Sequence, residues 1–475
     1  MFHKVVGKPF FDVKDVYPFL CAILRKKEKN NYNGELKMDY KDKIITLQQA
    51  LDLVQDGDYI VLGMAASDPI AFSSHLHEIA PRITEVTVSN CLPMCRAEYI
   101  TNPDLRSKFN VESWFYDGSL RKNAPLGNIS FIPNHLHFAS SKRLAYRKPD
   151  VFVANASMPD KHGYVSLLGN TYEIEHIRSA KTVILEINPN IPRCFGDSNI
   201  NLSEIDYVVE CDYPAPEIPE GAIGEKDAII GKYISDYIKD GDCIQVGIGG
   251  IPDAVVASLY GKKNLGVHTE MMTTGIMKLA KAGVVDCSKK QINPHRICAT
   301  FIAGTRELYD FVDDNPFVEV HDGAYTNNPF VIAQNDNQVS INTTLEVDLT
   351  GQCASESLGS KQFSGAGGQA DTAVGAKLSK NGRSFIALYS TAMVKNPETG
   401  EREEKSKIVA QLARGAVVTL PRQDLDYLVT EYGCVNLTGT STYERVEKII
   451  SIAHPKFRDQ LWEDAIKAGI IGKRR

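Results

Sequence analysis

The chain has 475 residues, of which 43% are hydrophobic, and its formal net charge is −6. A chain of this length can bury a large apolar core and is expected to form two to four domains. Since no run of five or more basic residues offsets the mild acidity, the composition excludes an electrostatic surface for nucleic acid or for an acidic membrane. A polyanionic ligand must therefore be bound locally, by a few well-placed groups.

The ten cysteines are scattered along the sequence. The closest pair, Cys91 and Cys95, has no neighbouring cysteine or histidine cluster that would complete a metal site. This pattern predicts reduced, mostly buried thiols in a cytoplasmic protein without a metal.

Residues 1–37 are interpreted as an N-terminal extension. Their apolar patch at 16–24 is too short to span a bilayer, and its basic residues follow it rather than precede it as they do in a secretory signal. We expect a cytosolic segment that packs on the surface or on a partner subunit, with Met38 as an alternative translation start.

Helix and strand patterns alternate from Ile45 onward, which is typical of an α/β protein. A helical pattern at 45–54 leads through the turn Asp56-Gly57-Asp58 into a short apolar strand. A helix is predicted at 70–79. Further strands are predicted at 83–90, 151–154 and 182–187.

The proline-rich segment 212–221 cannot continue a sheet and marks a border near Gly224. The chain is thereby divided into an N-terminal domain, 38–223, and a C-terminal domain, 224–475. The Asp-Gly-Asp turn at 56–58 recurs 184 residues later at 240–242, followed again by a strand and a loop of small residues. This repetition predicts two related open α/β halves with a cleft between them.

The stretch 245–271 is predicted to carry the chemistry. A strand ending at Val246 is followed by a glycine turn and by a helix that begins near Pro252 and covers 253–260. The entrance of such a helix offers unpaired N–H groups to an anion. A second strand, 265–269, brings Glu270 beside this turn if the two strands are parallel neighbours.

A carboxylate that faces N–H groups is equipped to attack a carbonyl whose oxygen becomes negative in the transition state. Glu270 is therefore the candidate nucleophile. Glycine turns between strand and helix are nevertheless common in α/β sheets, and spacing alone does not single out Glu270 among 59 acidic residues.

The later part of the second half contains further predicted elements. Asn327 precedes an x-Pro step, where asparagine is also an ordinary turn former. The remaining predictions are strands at 297–304 and 407–420, a strand with a following turn at 339–351, a helix from 306 that ends before Pro316, and two C-terminal helices separated at Pro455.

The glycine loop 364–371 fits the dinucleotide pattern G-x-G-x-x-G/A over 365–370, which would indicate an NAD(P)-dependent oxidoreductase. The preceding segment does not look like a buried strand, and no acidic residue between Asp371 and Glu398 would hold a ribose hydroxyl. The context therefore disfavours a dinucleotide site.

Five segments together resemble the acetyl-CoA hydrolase/transferase family of class I CoA-transferases, over roughly residues 38–468. They are GIGGIPDAV, LGVHTEMMTTG, NNPFVIAQNDNQVSINTTLEVDLTGQ, FSGAGGQAD and DYLVTEYG. The resemblance implies two α/β domains of the CoA-transferase type, with the active site in the cleft between them.

The resemblance also implies a ping-pong transfer of CoA through a glutamyl-CoA thioester. It implies CoA as a co-substrate, no tightly bound cofactor, short-chain carboxylates such as acetate, butyrate or 4-hydroxybutyrate as partners, and a homodimer or higher homo-oligomer. Glu270 and Asn327 are the implied catalytic residues, with Gly249, Gly250 and Ile251 at the oxyanion. The implied CoA contacts are Gly247, Ile248, Gly249, Gly250, Ile251, Leu345, Gly365, Gly367, Gly368 and Lys380.

The sequence departs from the family pattern at one place. Family members often continue the GGQxD motif with Phe and with an Arg one residue before Gly, whereas this chain has Val374 before Gly375. The acyl preference is therefore expected to differ from that of the best-known members. An acyl-CoA hydrolase, in which water resolves the same intermediate, shares every motif, and a non-catalytic CoA sensor would be expected to lack the nucleophile.

Overall fold

A computed structural model describes residues 40–396 and 399–472 of the chain. The expected N-terminal extension, 1–37, lies outside the described residues. The segment Tyr40–Arg475 clusters as one unit, so contacts between its two halves can be described directly.

The strands are numbered in chain order. The first ten are β1 (Tyr59–Leu62), β2 (Val86–Asn90), β3 (Phe109–Ser113), β4 (Ile129–Phe131), β5 (Val151–Ala156), β6 (Tyr164–Ser166), β7 (Thr182–Ile187), β8 (Phe195–Gly196), β9 (Asn199–Asn201) and β10 (Tyr207–Glu210). The others are β11 (Cys243–Val246), β12 (Gly266–Met272), β13 (Ile297–Ile302), β14 (Val318–Val320), β15 (Gln338–Thr343), β16 (Glu346–Asp348), β17 (Cys353–Ala354), β18 (Ser357–Leu358), β19 (Lys361–Gln362), β20 (Arg383–Ala387), β21 (Thr391–Lys395), β22 (Arg402–Ser406), β23 (Ile408–Val409), β24 (Tyr427–Thr430) and β25 (Gly433–Asn436).

Most α-helices are short and connect the strands. They are Leu47–Asp52, Ile70–His75, Glu98–Thr101, Gly118–Asn123, Ala139–Tyr146, Glu173–Ser179, Glu225–Ser235, Gly250–Ala257, Thr274–Lys281, Arg306–Val312, Gly323–Thr326, Pro329–Ile332, Gln369–Leu378, Thr442–Ser451 and Arg458–Lys467. Short 3₁₀ helices include Ala65–Ser67, Leu76–Arg82 and Leu136–Phe138. Among the described residues, no helix is both long and apolar enough to cross a membrane.

Two large sheets confirm the predicted α/β fold, and the edge strand β8 of the second sheet comes from the first half of the chain. The first has the order β10-β7-β5-β1-β2-β3-β4, and the second has the order β25-β24-β20-β15-β11-β12-β13-β14-β8. All pairs are parallel except the antiparallel edge pair β24–β25. The strand after each Asp-Gly-Asp turn, β1 or β11, lies at the point where the strand order reverses, so the sequence repeat reflects a repeat of topology.

The central strands of both sheets are buried on both faces. Every residue of β1, β5 and β13 is buried, as expected for apolar strands in parallel sheets flanked by helices. The segment 211–224 between the sheets is neither helix nor strand, as its prolines predict. The domain border near Gly224 falls in this segment and remains a prediction.

Several predicted element bounds were wrong. The helix after the first glycine turn begins at Gly250 rather than near Pro252 and ends at Ala257, and the helix predicted at 70–79 becomes 3₁₀ after His75. The strand predicted at 407–420 is reduced to Ile408–Val409, because only these residues pair with β16, and Val417 and Val418 are exposed instead of joining a sheet.

Candidate active site

Glu270 lies inside β12, close to its carboxyl end. The sequence predicted that this strand ends at Thr269, but Met271 and Met272 continue the pairing with β13. The parallel pairing of β11 with β12 confirms the arrangement on which the prediction depended. Because side chains alternate along a strand, Glu270 and His268 project from the same face of the sheet.

Asn327 holds the carboxylate of Glu270. Its Nδ2 donates a 3.1 Å hydrogen bond to Glu270 Oε2, and its own Oδ1 accepts a 3.3 Å hydrogen bond from Thr300 Oγ1. Asn327 is fully buried, at the end of the helix Gly323–Thr326. Since a hydroxyl must donate to the oxygen side of the amide, Thr300 turns the NH₂ group toward Glu270.

The second glycine loop closes over the same carboxylate. A Cβ on Gly368 would overlap both Glu270 Oε2 and Asn327 Nδ2, and Gly367 has the left-handed φ of +52° that favours glycine. The Gly368 N–H donates to Glu270, and the helix Gln369–Leu378 starts immediately afterwards. The loop therefore needs glycine so that its backbone can touch the carboxylate.

This environment changes the acidity of Glu270. Burial raises the pKa of Glu270 and so does the negative charge of Asp371, whereas the hydrogen bonds from Asn327 and Gly368 lower it, and the net pKa is about 7. A carboxylate with a pKa near neutrality is a stronger nucleophile than an ordinary one and is still substantially ionised at pH 7.

The second glycine loop also joins the two halves. Gly365 packs so closely against the Trp114 carbonyl that a side chain would overlap it, and the Tyr116 N–H donates a 3.3 Å hydrogen bond to the Ser364 carbonyl. Arg121 Nη1 donates a 2.8 Å hydrogen bond to the Phe363 carbonyl. These contacts place Glu270 at the junction of the halves, as the predicted cleft requires.

Asp371 forms an ionic contact across the same junction. It accepts hydrogen bonds from the His137 N–H at 3.1 Å and from His137 Nδ1 at 2.8 Å, and His135 Nδ1 lies 3.2 Å away. Although burial alone would raise the pKa of Asp371, the hydrogen bonds from both histidines bring it below its ordinary value. The hydrogen bond to Asp371 in turn raises the pKa of His135.

A narrow cavity opens beside Glu270. Its lining combines Glu270 and Gly367 with mostly apolar side chains of the first half, among them Met64, Cys91, Trp114, Phe115, Leu136 and Tyr172. Trp114 stacks on Tyr172 with their ring centroids 4.8 Å apart. The cavity has a volume of about 20 Å³, which is room for about one water molecule, so an acyl chain could enter only if the apolar lining moved apart.

The first glycine loop, 247–251, follows the carboxyl end of β11, the strand next to β12. Gly249 has φ +114°, Gly250 and Ile251 begin the helix Gly250–Ala257, and Ile248 is exposed. Among the described residues, those that line the cavity beside Glu270 do not include this loop. A carboxylate, Asp227, lies so close to Gly250 that a Cβ there would be 2.9 Å from its Oδ2.

The other two predicted CoA contacts lie apart from each other. Leu345 is half-buried in the link between β15 and β16, beyond the carboxyl end of β15. Lys380 lies at the opposite edge of the sheet, because its carbonyl bonds Asn337 at the amino end of β15, and its exposed ammonium is 3.3 Å from Asp336. The structure does not bring Lys380 to Glu270, and its predicted contact with CoA remains a prediction.

Sequence reasoning missed Thr300, Asp371, His135 and His137. Asp371 stands in the quoted SGAGGQAD motif, so its position in a glycine loop was a usable signal. The two histidines come from the other half, and nothing in their sequence context indicated the contact. The dinucleotide alternative loses support, because the residues before the loop form only the two-residue antiparallel strand β19.

Comparison with known proteins agrees with this geometry. The acetyl-CoA hydrolase/transferase N-terminal domain matches residues 25–219, and the corresponding C-terminal domain matches residues 304–465. A 4-hydroxybutyrate coenzyme A transferase from Clostridium kluyveri is 40% identical over 90% of this chain and 97% of its own length. The chain belongs to the acetyl-CoA hydrolase/transferase family.

Other family members extend the comparison. A butyryl-CoA:acetate CoA-transferase from Anaerostipes caccae is 36% identical over 91% of this chain and 98% of its own length. The crystal structure of a 4-hydroxybutyrate CoA-transferase from Porphyromonas gingivalis has a TM-score of 0.74 and 33% identity, covering 90% of this chain and 98% of that chain. Relatives named acetyl-CoA hydrolase, from yeasts, match less than half of this chain.

Proposed function

We propose that this protein is a CoA-transferase that moves coenzyme A between a short-chain acyl-CoA and a free carboxylate, with Glu270 as the nucleophile. The observation that carries the proposal is the Glu270 carboxylate, held by Asn327 and the Gly368 N–H beside a narrow apolar cavity. Coenzyme A is proposed as a co-substrate rather than as a tightly bound cofactor.

Glu270 begins the reaction by attacking the thioester carbonyl of the donor. The C–S bond breaks, the thiolate of CoA leaves, and a mixed anhydride joins Glu270 to the acyl group. The thiolate then attacks the glutamyl carbonyl, which forms the glutamyl-CoA thioester and releases the first acid as a carboxylate. The incoming carboxylate reverses these steps and leaves as the new acyl-CoA.

A carboxylate is required because an anhydride or a thioester on Glu270 keeps the energy of the substrate thioester, whereas a serine ester would lose it. Asn327 and Gly368 orient the attacking oxygen, and both can donate again to the glutamyl carbonyl when it becomes an oxyanion. For the substrate oxyanion we propose the N–H groups of Gly249, Gly250 and Ile251, at the reversal of strand order beside β11 where ligands bind in open α/β sheets.

CoA itself is proposed to lie along the two glycine loops, 247–251 and 365–368, and near Leu345. Binding energy from its distant nucleotide and pantetheine holds the thiolate while the sulfur changes partners. Lys380 is left out of this site because of its position at the opposite edge of the sheet.

The proposed acids are short and linear, such as acetate, butyrate or 4-hydroxybutyrate. The apolar cavity lining supports a short aliphatic chain. Val374, half-buried in the helix Gln369–Leu378, replaces the arginine common in the family and supports a difference in acyl preference. A cytoplasmic location and a homodimer or higher homo-oligomer complete the proposal.

The experiment is a panel of acyl-CoA donors incubated with acetate or with buffer alone. We expect acetyl-CoA to form with the best donors, with little free thiol released in buffer, and we expect Glu270→Gln to be inactive in both assays. Release of free thiol at the same rate with and without acetate would identify a hydrolase instead. Full activity of Glu270→Gln would overturn the assignment of the nucleophile.

A further inference from the structure

A second cluster of reactive side chains lies on the same face of the same sheet as Glu270, at the level of the residue two positions earlier in β12. His268, Cys298 and Glu319 are register partners on the neighbouring parallel strands β12, β13 and β14. In-register residues of parallel strands project from the same face, and His321, two residues after Glu319, joins them there. The potential ligand atoms of Cys298, Glu319 and His321 lie within 4.8 Å of one another.

Both histidines already use one ring nitrogen to fix their orientation. His321 Nδ1 lies 2.8 Å from Asp197 Oδ2, and His268 Nε2 lies 2.8 Å from the Thr326 carbonyl. Because each of these nitrogens must carry the proton, the lone pair of the neutral ring lies on Nδ1 of His268 and on Nε2 of His321. His321 Nε2 lies 3.1 Å from Glu319 Oε2, so a metal ion would have to replace a proton there. A histidine whose second nitrogen bonds a carboxylate or a backbone carbonyl is the usual arrangement of a metal ligand.

The free nitrogen of His268 is an independent indication of a ligand. His268 is 1% exposed, and its Nδ1, which faces Cys298 Sγ on the next strand, makes no hydrogen bond of ordinary geometry within the described part of the chain. A buried, unpaired imidazole nitrogen costs free energy unless something binds it. An ion bound to Cys298 and His321 would lie within reach of this nitrogen.

Charged groups surround the cluster. Lys290 Nζ donates to the Val267 and Arg296 carbonyls at 2.9 and 2.8 Å and lies 3.3 Å from Cys298 Sγ. Arg296 Nε is 3.4 Å from Glu319 Oε1, and His321 Nε2 is 3.1 Å from Glu319 Oε2. A metal ion bound here would take the place of the proton between His321 Nε2 and Glu319 Oε2.

We propose that Cys298, His321 and Glu319, with His268 as the fourth ligand, form a structural site for a divalent transition metal of the zinc class. Sulfur, imidazole and carboxylate donors in this number match tetrahedral zinc chemistry. Ligand atoms around such an ion are about 3.3–3.5 Å apart, so small side-chain rotations would close the present spacing. Glu319 and His321 are partly exposed and provide the entry side.

The site would support the catalytic residues without touching substrate. His268 stands two residues before Glu270, and the carbonyl that it bonds belongs to Thr326, the residue before Asn327. A metal at His268 would therefore fix both the strand that carries the nucleophile and the turn that carries its hydrogen-bond donor. This inference does not depend on the proposed reaction.

The test is a titration of tag-free, full-length, chelator-treated protein with Co²⁺, followed by absorption spectroscopy. We expect one equivalent to give the intense visible bands of a tetrahedral ion and a sulfur-to-cobalt charge-transfer band, and an equivalent of Zn²⁺ to abolish both and raise the melting temperature. Cys298→Ser should remove the charge-transfer band. The matched control is Cys243→Ser, a buried thiol near the same Lys290 but outside the ligand set.

A second variant guards against misfolding of Cys298→Ser. Glu319 is partly exposed, and Glu319→Gln keeps its volume, so the protein should fold while its affinity for Co²⁺ falls roughly tenfold or more. The proposal is overturned if wild-type protein binds no Co²⁺, if the spectrum is that of an octahedral ion without sulfur, or if the band persists in Cys298→Ser. In those cases the cluster is an ion-pair network centred on His321.

Discussion

Asn327 donates its amide N–H to Glu270 across 3.1 Å, from a helix end 57 residues further along the chain. Thr300 Oγ1 donates a hydrogen bond to the Asn327 amide oxygen and so fixes the orientation of the amide. The amide N–H in turn stabilises the ionised carboxylate of Glu270. The nucleophile is therefore positioned by a fully buried residue, and this hydrogen bond and that of the Gly368 N–H oppose the rise in the pKa of Glu270 that burial causes.

Replacing Asn327 by alanine should lower kcat/KM by roughly 10- to 100-fold, since the loss of a hydrogen bond to a charged group costs about 1.5–3 kcal/mol. The rise of kcat/KM with increasing pH, which follows the ionisation of Glu270, should also move to higher pH. The reason is that this hydrogen bond lowers the pKa of Glu270 in the wild type. Thr300→Val serves as the graded control and should show the same direction with a smaller effect. An unchanged pH profile in Asn327→Ala would contradict the assigned contact.

Asp371→Asn should shift the rise of kcat/KM with pH to lower pH, opposite to the shift expected for Asn327→Ala. The negative charge of Asp371 raises the pKa of Glu270, so its removal should let Glu270 ionise at lower pH. The contacts to His135 and His137 weaken in this variant, which should also raise KM by loosening the junction between the halves. A matched control is Asp236→Asn, an exposed acid paired with Lys232. Equal pH profiles for the two variants would exclude the electrostatic coupling.

Gly368→Ala should lower turnover by about 100-fold or more while the protein still folds. A methyl group at this position overlaps the reacting oxygen of Glu270 and the amide of Asn327, so either the loop or the carboxylate must move. A displacement of about 1 Å at a nucleophile typically costs on the order of 100-fold in rate. Gly261→Ala is the control, because a Cβ there meets open space. Wild-type kinetics in Gly368→Ala would contradict the packing described for the second glycine loop.

The raised pKa of Glu270 also predicts a pH-dependent stability difference. A carboxyl whose pKa is about 7 in the folded protein and near 4.5 when unfolded binds extra protons only in the folded state, so stability declines as pH rises from about 4.5 through 7. Glu270→Gln lacks this decline and should be more stable than wild type at pH 8 by roughly 1–3 kcal/mol, with a smaller gain at pH 5. Thermal unfolding at both pH values measures the difference, and a gain that does not change with pH would disprove the shift.

The sequence predicted the two parallel sheets and the strand that carries Glu270 because their signals are local. The repeated Asp-Gly-Asp turns stand directly before β1 and β11. After the first glycine loop, 247–251, the chain forms one helix and then β12, the strand that contains Glu270. The end of β12 was misjudged because the pairing of Met271 and Met272 depends on β13, whose register cannot be read from either strand alone.

Contacts between distant segments could not be predicted in the same way. Asp371 and His137 are 234 residues apart, and their ion pair exists only because the second glycine loop packs against the first half. The proposed metal ligands were overlooked for the same reason, since His268, Cys298 and Glu319 become neighbours only through the register of three strands. The strand predicted at 407–420 failed because apolar character was taken as pairing, although Val417 and Val418 lie exposed.

The most direct measurement is the identification of a covalent intermediate on Glu270. The enzyme is incubated with an acyl-CoA without acceptor, treated with borohydride, digested and analysed by mass spectrometry, with Glu270→Gln as the control. We predict that the Glu270 peptide carries CoA before reduction and that its side chain becomes a primary alcohol afterwards, with stoichiometric loss of activity. An unmodified Glu270 peptide in a turnover-competent enzyme, or modification of another residue, would contradict the account.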